Sequence, residues 1–386
     1  MKKLLVIPGS CDALGGTLVS LSLLIRGFEL AGAADRIRVA VRAGSLAEGY
    51  LRAAGQQSRI VPLAAAESIS FLRVALAWAR RAPADWPLLL DNCVEKQLMG
   101  PLIAAAPALR LAGRPLFHFC HDLALSHNRL GFALRRIAFA ALRPAALCNS
   151  RFTATVVRPL FPDIRGVLYQ PVEPPAREEA IPPALAPLLQ PGRRLLFTPS
   201  RINKPGIVND KNLRALVSVL VCLRAMGLDY ACAVVGQDTS ADGSNTAELL
   251  QTAAAAGVGE FFHVLPPTYG IGAYYRCAEA VVTLAPREPF GRTVVEAIAA
   301  GVPVIGSATG GIGEILSQFA PGWAVDPTDP EAAAAALARL PHDPDTPRLV
   351  ARGRAWAAEH CSVAGYARCL MALTGLATDL PVGELA

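Results

Sequence analysis

The chain has 386 residues, 53% of them hydrophobic, a formal net charge of +6 and a pI near 8.9. That much apolar material suffices for two cores and excludes a disordered chain, and its Lys and Arg are spread along the sequence, without the basic run of a nucleic-acid-binding tail. Nine cysteines, an odd number with no Cys-x-x-Cys pair, point to reduced thiols in a cytosolic protein.

The N-terminus, MKKLLVIPGSCD, has the basic start of a signal peptide but meets Pro8, Gly9 and Asp12 before a long apolar region forms, and it reads as a first buried strand. Short apolar runs at Leu4–Ile7, Ile37–Val41, Arg59–Val61, Leu88–Leu90, Leu116–Phe119 and Ala146–Cys148 read as further buried strands. Between them, stretches such as Leu18 to Leu30 and Phe71 to Ala82 carry apolar residues at helical spacing. Strands alternating with helices predict right-handed crossovers and a parallel sheet.

Residues 171–192, PVEPPAREEAIPPALAPLLQPG, hold seven prolines and predict a linker. The alternation then restarts, with strands at Leu195–Thr198, Ala231–Val235, Phe261–Leu265, Ala280–Leu284 and Val304–Ile305, and helices near 210–226, 244–256, 292–300 and 328–340. The uncharged run from Ala297 to Gly313 is broken by Gly301, Pro303, Gly306 and Gly310, which makes it a poor transmembrane helix. The last helical segments, Leu349–Glu359 and Val363–Leu373, are placed to reach back to the first half. The expected fold class is α/β, with domains at 1–170 and 193–360 and a C-terminal helix within 361–386 crossing back to the first.

Ligands of open α/β sheets bind outside the carboxyl ends of the strands, which selects four loops. In PGSCDALGGTLVS, Gly15 and Gly16 open a helix whose N–H groups suit an anion, although a tight strand-to-helix turn explains them equally. The spacing is not Gly-x-Gly-x-x-Gly, and Arg42 stands where a ribose-binding acid is wanted, so a dinucleotide site is not expected. In FHFCHDLALSH, the residues His118, His121, Asp122 and His127 do not complete a tetrahedral metal set, and His121 is the side chain expected to face the ligand.

In TPSRINKPGIVNDKNL, Arg201, Lys204 and Lys211 bring three cations near the start of a helix that Asn209 or Asp210 could cap, an arrangement suited to a diphosphate. Lys204 reads as a solvated surface residue. In REPFGRTVVEAIAAGVPVIG, Glu288 falls in a loop and Glu296 in the first turns of the next helix, with Gly291 between them. Each carboxylate can accept two hydrogen bonds from a diol, so a sugar at one and a ribose at the other would use both.

With these motifs the second half resembles the retaining glycosyltransferases of family 4, which have the GT-B fold. The resemblance is carried by the Glu288 to Glu296 pair, by EPFG, EAIAAGVPVI and ATGGIGEIL, and by the ordered series Gly15-Gly16, His121-Asp122, NSRFTATVV, YQPVE, SRI…K and VVGQ. It implies two Rossmann-like domains with parallel sheets facing across a cleft. It also implies that Glu288 contacts the donor sugar's hydroxyls, with the backbone of Phe290 and Gly291 near sugar and phosphate. Glu296 would bind the ribose, Arg201 and Lys211 the diphosphate, and Gly15 and Gly16 would lie beside it. His121 would sit near the sugar's C6 and anomeric centre, and Gly236 and the strand around Val264 would meet the nucleotide.

The implied activity is that of a hexosyltransferase. It moves a sugar from a nucleotide diphosphate, with UDP or GDP expected, to a small-molecule, glycan or lipid-linked acceptor hydroxyl with retention of configuration. No candidate carboxylate nucleophile is found in the N-terminal loops, and the resemblance instead implies front-face attack, in which the leaving diphosphate, held by Arg201 and Lys211, accepts the acceptor's proton. No metal, no cofactor and no nucleic-acid partner is expected, and the Asp-x-Asp at Asp343 to Asp345 reads as a surface turn. The expected location is cytoplasmic, with a peripheral place at the inner membrane face left open by the lipid-linked acceptor. Leu18 to Leu30, with only Arg26 and Glu29, gives a membrane helix little support.

Two positions depart from the family pattern. Arg201 and Lys211 are separated by a long NKPGIVND interval, which leaves Lys204 in competition with Lys211, and Arg292 stands where small or apolar residues are usual. A nucleotide-sugar epimerase or hydrolase on the same fold, and a non-catalytic sugar-nucleotide binding protein, are the alternatives. Turnover of donor alone marks the first, and binding indifferent to Glu288→Gln marks the second.

Overall fold

The first strand, β1 at Leu4–Pro8, buries all five of its residues, as a strand covered on both faces must. Alternation sends Leu5 and Ile7 into one core layer and Leu4 and Val6 into the other. The computed structural model describes residues 1–12, 15–125, 129–174, 180–207, 210–268 and 270–377. The chain divides into two units, Met1–Pro171 with the segment from His360 onward, and Val172–Glu359.

In the first unit, β1 is joined by β2 (Ile37–Arg42), β3 (Ile60–Leu63), β4 (Leu88–Asp91), β5 (Leu116–Cys120), β6 (Ala145–Cys148) and β7 (Ile164–Val167). The parallel sheet is ordered β3-β2-β1-β4-β5-β6-β7. Its crossover helices are α1 (Gly16–Leu30), α2 (Leu46–Ala53), α3 (Ser68–Arg81), α4 (Met99–Leu111), α5 (Arg129–Leu142) and α6 (Arg151–Val157). A chain-terminal helix at Val363–Leu373 joins the same unit, where its Tyr366, Ala367, Leu370 and Met371 share a core layer with Leu21, Leu24, Ile25 and Phe28 of α1. Burial of each large apolar side chain there stabilises the unit by about 1.5–3 kcal/mol.

The second unit repeats the plan. Its strands are β8 (Arg194–Pro199), β9 (Tyr230–Val235), β10 (Phe262–Leu265), β11 (Ala280–Thr283), β12 (Val304–Ser307) and β13 (Ala324–Val325), ordered β10-β9-β8-β11-β12-β13 and all parallel. The helices are α7 (Leu213–Ala225), α8 (Ser244–Ala255), α9 (Gly272–Cys277), α10 (Arg292–Ala299), α11 (Gly310–Phe319), α12 (Pro330–Arg339) and α13 (Thr346–His360), which makes the chain-terminal helix α14. Both sheets follow the Rossmann order, the first with one strand added. The strand order reverses between β1 and β4 and between β8 and β11, and the crevice at such a reversal is where this architecture binds ligands.

The structure adds two strands to those expected. β7 carries Arg165 and Gly166 and is only half buried, and β13 is two residues long, so neither has the apolar run that marks a buried strand. β3 extends to Leu63 past Pro62, which is tolerated because β3 is an edge strand. Within 171–192 a 3-10 turn at Ala186–Leu188 forms beside the buried Leu185, and residues 175–179 lie outside the described set. Among the described residues no helix is long and apolar enough to cross a membrane.

Candidate active site

In the second unit, the loops after β8 and β11 flank the reversal point. Lys211 on one and Glu288 on the other meet there, Nζ to Oε2 at 2.5 Å, each side chain 22% exposed. At that exposure an ion pair adds little stability, about 0–1 kcal/mol. Its consequence is placement, a cation and an acceptor carboxylate side by side within reach of solvent.

The two loops are tied together behind this pair. Asn212 donates its side-chain amide to the carbonyls of Leu284 at 3.1 Å and Pro327 at 2.8 Å. Asn212, in the left-handed region at φ 53°, is itself the N-cap of α7 and makes no side-chain cap bond. The expected cap by Asp210 is therefore corrected, because its carboxylate instead turns the loop, accepting from the N–H of Gly206 and of Asn212 at 2.8 Å each. Asn209 lies outside the described residues.

Arg201 and Lys204 are both exposed on the β8 loop. The backbone beside Arg201 is pinned, since the buried Ile202 gives its carbonyl to the N–H and hydroxyl of Thr239 at 3.0 and 3.1 Å. Asp238 gathers that neighbourhood, accepting from the N–H and hydroxyl of Ser240, the N–H of Thr246 and the amide of Asn245 at 2.6–2.9 Å. Burial works to raise the Asp238 carboxyl, and the bonds from Ser240 and Thr246 together override it and hold the group well below the usual carboxylate range. Gly236 permits the crossing of these strand ends, because a Cβ there would sit 1.9 Å from the carbonyl oxygen of Ser200.

The EPFG loop rests on the start of α11. Gly311 donates its N–H to the Glu288 carbonyl at 2.7 Å, and the Thr309 hydroxyl donates to the Pro286 carbonyl at 2.7 Å. A Cβ at Gly311 would approach the Phe290 carbonyl oxygen to 2.5 Å, which explains the paired glycines of ATGGIG. Phe290 is buried, and Gly291, at φ 89°, is the N-cap of α10. On that helix Glu296 is bound on both oxygens, by Arg292 Nε at 2.6 Å and by the Tyr275 hydroxyl at 2.8 Å. Val264 lies half-buried on β10, which among the described residues is an edge strand of its sheet.

In the first unit, Gly15 is the N-cap of α1 and Gly16 its exposed first residue, with no acid in the first turn and no side-chain cap bond. The N–H groups of that turn are suited to an anion. His121, at the end of β5, donates from Nε2 to Asp91 Oδ1 at 2.6 Å across the neighbouring strand end. A carboxylate accepts, which puts the ring proton on Nε2 and leaves Nδ1 to accept from the Gln170 amide. The ring is 5% exposed and packs on Phe119 at 4.3 Å. Its backbone is set by Asn92, which accepts from its N–H at 3.2 Å, and by Asn149, which donates to its carbonyl at 3.2 Å.

His118 is separate from this group. It is fully buried between Phe139 and Phe161, and burial, with His121 as a lesser neighbour, pushes its imidazole down to about 3. It is a core residue, and His127 lies outside the described residues. All nine cysteines are free, and burial pushes Cys11 up to about 11 and Cys232 to about 12, which leaves those thiols poor nucleophiles. Asp343 and Asp345 form an exposed turn, Asp343 accepting from the Asp345 N–H at 2.9 Å.

Residues 202–355 match the model of the family described as glycosyl transferases group 1. That match lies within the second unit and makes it similar to the glycosyl transferases group 1. The chain is 34% identical over 146 residues to a D-inositol 3-phosphate glycosyltransferase of Salinispora tropica, covering 37% of this chain and 30% of the relative. It is 30% identical over 159 residues to one of Streptomyces griseus, covering 41% and 33%. The chain thus spans about a third of the length of the curated relatives it matches. Among solved structures, the Anabaena protein HepE in complex with UDP and glucose superposes with a TM-score of 0.78 at 17% identity, over 97% of this chain and 100% of that one. Sucrose-phosphate synthase of Thermosynechococcus elongatus gives 0.69 at 17% identity, over 97% and 99%. These likenesses show the GT-B fold.

Within this group 1 domain, the structure joins Lys211 to Glu288 and gives Glu296 two partners, and it leaves Arg201 and Lys204 exposed. Sequence reasoning missed Asp91, Tyr275 and Asp238. Asp91 ends an apolar strand, where a lone acid at the carboxyl edge was an available signal. Tyr275 and Asp238 had none, since their roles depend on partners 21 residues away and on a loop's fold.

Proposed function

We propose that the protein is a retaining glycosyltransferase that moves a sugar from a nucleotide diphosphate to an acceptor hydroxyl. The observation that carries the reading is the Lys211–Glu288 pair at the reversal point of a group 1 domain. Lys211 has three N–H donors and can bridge Glu288 and a phosphate oxygen, with Arg201 as the second cation. Glu288 then accepts from the hydroxyls of the transferred sugar, Glu296 from the ribose, and the edge of β10 offers backbone groups to the base.

As the bond from the anomeric carbon to the phosphate oxygen breaks, negative charge gathers on the leaving diphosphate. The acceptor oxygen bonds to the same face of the anomeric carbon, and its proton passes to that diphosphate oxygen, so no protein carboxylate acts as nucleophile. Arg201 and Lys211 stabilise the developing charge, an effect worth about 2.7–4 kcal/mol for one well-placed donor. In this reading the phosphate charge is met by these side chains, without a metal. In the first unit His121, fixed by Asp91 and Gln170, is a hydrogen-bonding group suited to a sugar hydroxyl.

Uridine is the favoured base, because the HepE structure similar to this chain was solved with UDP. The acceptor is a hydroxyl of a small molecule, a glycan or a lipid-linked sugar. Thermal denaturation with UDP-, GDP- and ADP-sugars tests the donor class. A UDP-sugar at 100 times its Kd stabilises the native state by about 2.7 kcal/mol and raises Tm, whereas a rise with a nicotinamide dinucleotide and none with any nucleotide sugar would overturn the reading.

A further inference from the structure

Glu296 is committed on both oxygens before any ligand arrives. Arg292, one turn earlier on α10, donates to Oε1, and Tyr275, from α9, donates to Oε2. Tyr275 is 2% exposed, its ring set edge-on against Phe197 at 5.0 Å, and its phenol is held well above the usual tyrosine range by burial and by Glu296. A phenylalanine would fill that space without a hydroxyl to satisfy, so packing alone does not account for a tyrosine. Arg292 and Glu296, by contrast, remain 16% and 19% exposed at the side chain, open to a ligand.

A carboxylate offers about four lone-pair sites, and one bond on each oxygen leaves one acceptor site per oxygen. Two donors from different elements also fix the plane of the carboxylate. The remaining sites are then spaced for two adjacent hydroxyls. We infer that Tyr275 and Arg292 are positioning residues that orient Glu296 toward a vicinal diol, and that they set the choice of ribo- over deoxyribonucleotides. This rests on reading Glu296 as the ribose ligand.

The test is calorimetric binding of UDP, GDP and ADP, each beside its 2′-deoxy counterpart, to the full chain and to Tyr275→Phe, Arg292→Leu and Glu296→Gln. The preferred diphosphate binds the unaltered protein at least about tenfold more tightly than its 2′-deoxy form, as expected for a hydrogen bond to a charged group. Tyr275→Phe, which keeps the ring and the fold, cuts that preference about threefold or more while binding of the 2′-deoxy form changes less than about twofold. Arg292→Leu behaves alike, and Glu296→Gln abolishes the preference. If Glu296→Gln abolishes it and Tyr275→Phe weakens both forms equally or neither, the positioning role is wrong and the ribose reading stands. If Glu296→Gln leaves the preference intact, the ribose reading and this inference fall together.

Discussion

His118 and His121 lie three residues apart and have opposite environments. His121 has an acceptor on one ring nitrogen and a donor on the other, so it is a fixed hydrogen-bonding group. His118 is fully buried beside two aromatic rings and a thiol, and burial pushes its imidazole down to about 3 from an ordinary 6.5. Between those values the unfolded chain binds a proton that the folded chain does not. Stability from this group is therefore full above pH 6.5 and declines as pH falls toward 3, by up to about 1.4 kcal/mol per unit. Urea denaturation at pH 7 and pH 5 checks this, with His118→Phe losing less stability on acidification than the unaltered protein, and equal losses counting against it. At the same scale, Lys204→Ala leaves turnover within about twofold, and Lys211→Ala lowers kcat by about 100-fold or more through lost stabilisation of the leaving group. Steady-state kinetics of the two variants separates these cations, and the reverse ranking would move the phosphate contact to Lys204. Sequence spacing left the two in competition because the fold of the intervening loop was not written in it, whereas the salt bridge to Glu288 favours Lys211.

Among the elements, the β8 loop shows what holds an exposed residue, here the proposed phosphate ligand Arg201. Arg201 is exposed, yet its neighbour Ile202 is clamped through Thr239, and Gly236 lets the two strand ends cross. Gly236→Ala forces its Cβ against a backbone carbonyl, which cannot swing aside as a side chain can, and costs about 1–3 kcal/mol. Gly49→Ala, in α2 with open space around it, is neutral or stabilising by about 0.5–1 kcal/mol. Melting curves together with donor affinity check the pair. A Gly236 variant that melts and binds donor normally would remove this loop from the account. Element positions were largely legible from apolar runs, and β7 and β13 were not, because half-buried edge strands lack that pattern. Likewise Asn212 as N-cap, with its amide spent on carbonyls of two other loops, follows from tertiary contact rather than from the local capping pattern.

For the whole molecule, the family match falls entirely in the second unit, which carries the two glutamates, the cations and the glycine-rich seat of the EPFG loop. The first unit's sheet was readable, but its Asp91–His121–Gln170 chain joins residues 30 and 49 positions apart, brought together by the parallel order of β4 and β5 and of β6 and β7 beside them. The EPFG loop and its helix were readable, whereas contacts assembled from separate elements, or from a loop's own fold as at Asp238, were not. The most direct test of the central claim is proton NMR of the product formed from UDP-glucose with polyol phosphates, oligosaccharides and lipid-linked sugars as acceptors. The account predicts a glycoside with the α configuration of the donor, and a β product, or conversion of the donor to an epimer or free sugar with no glycoside, would contradict it.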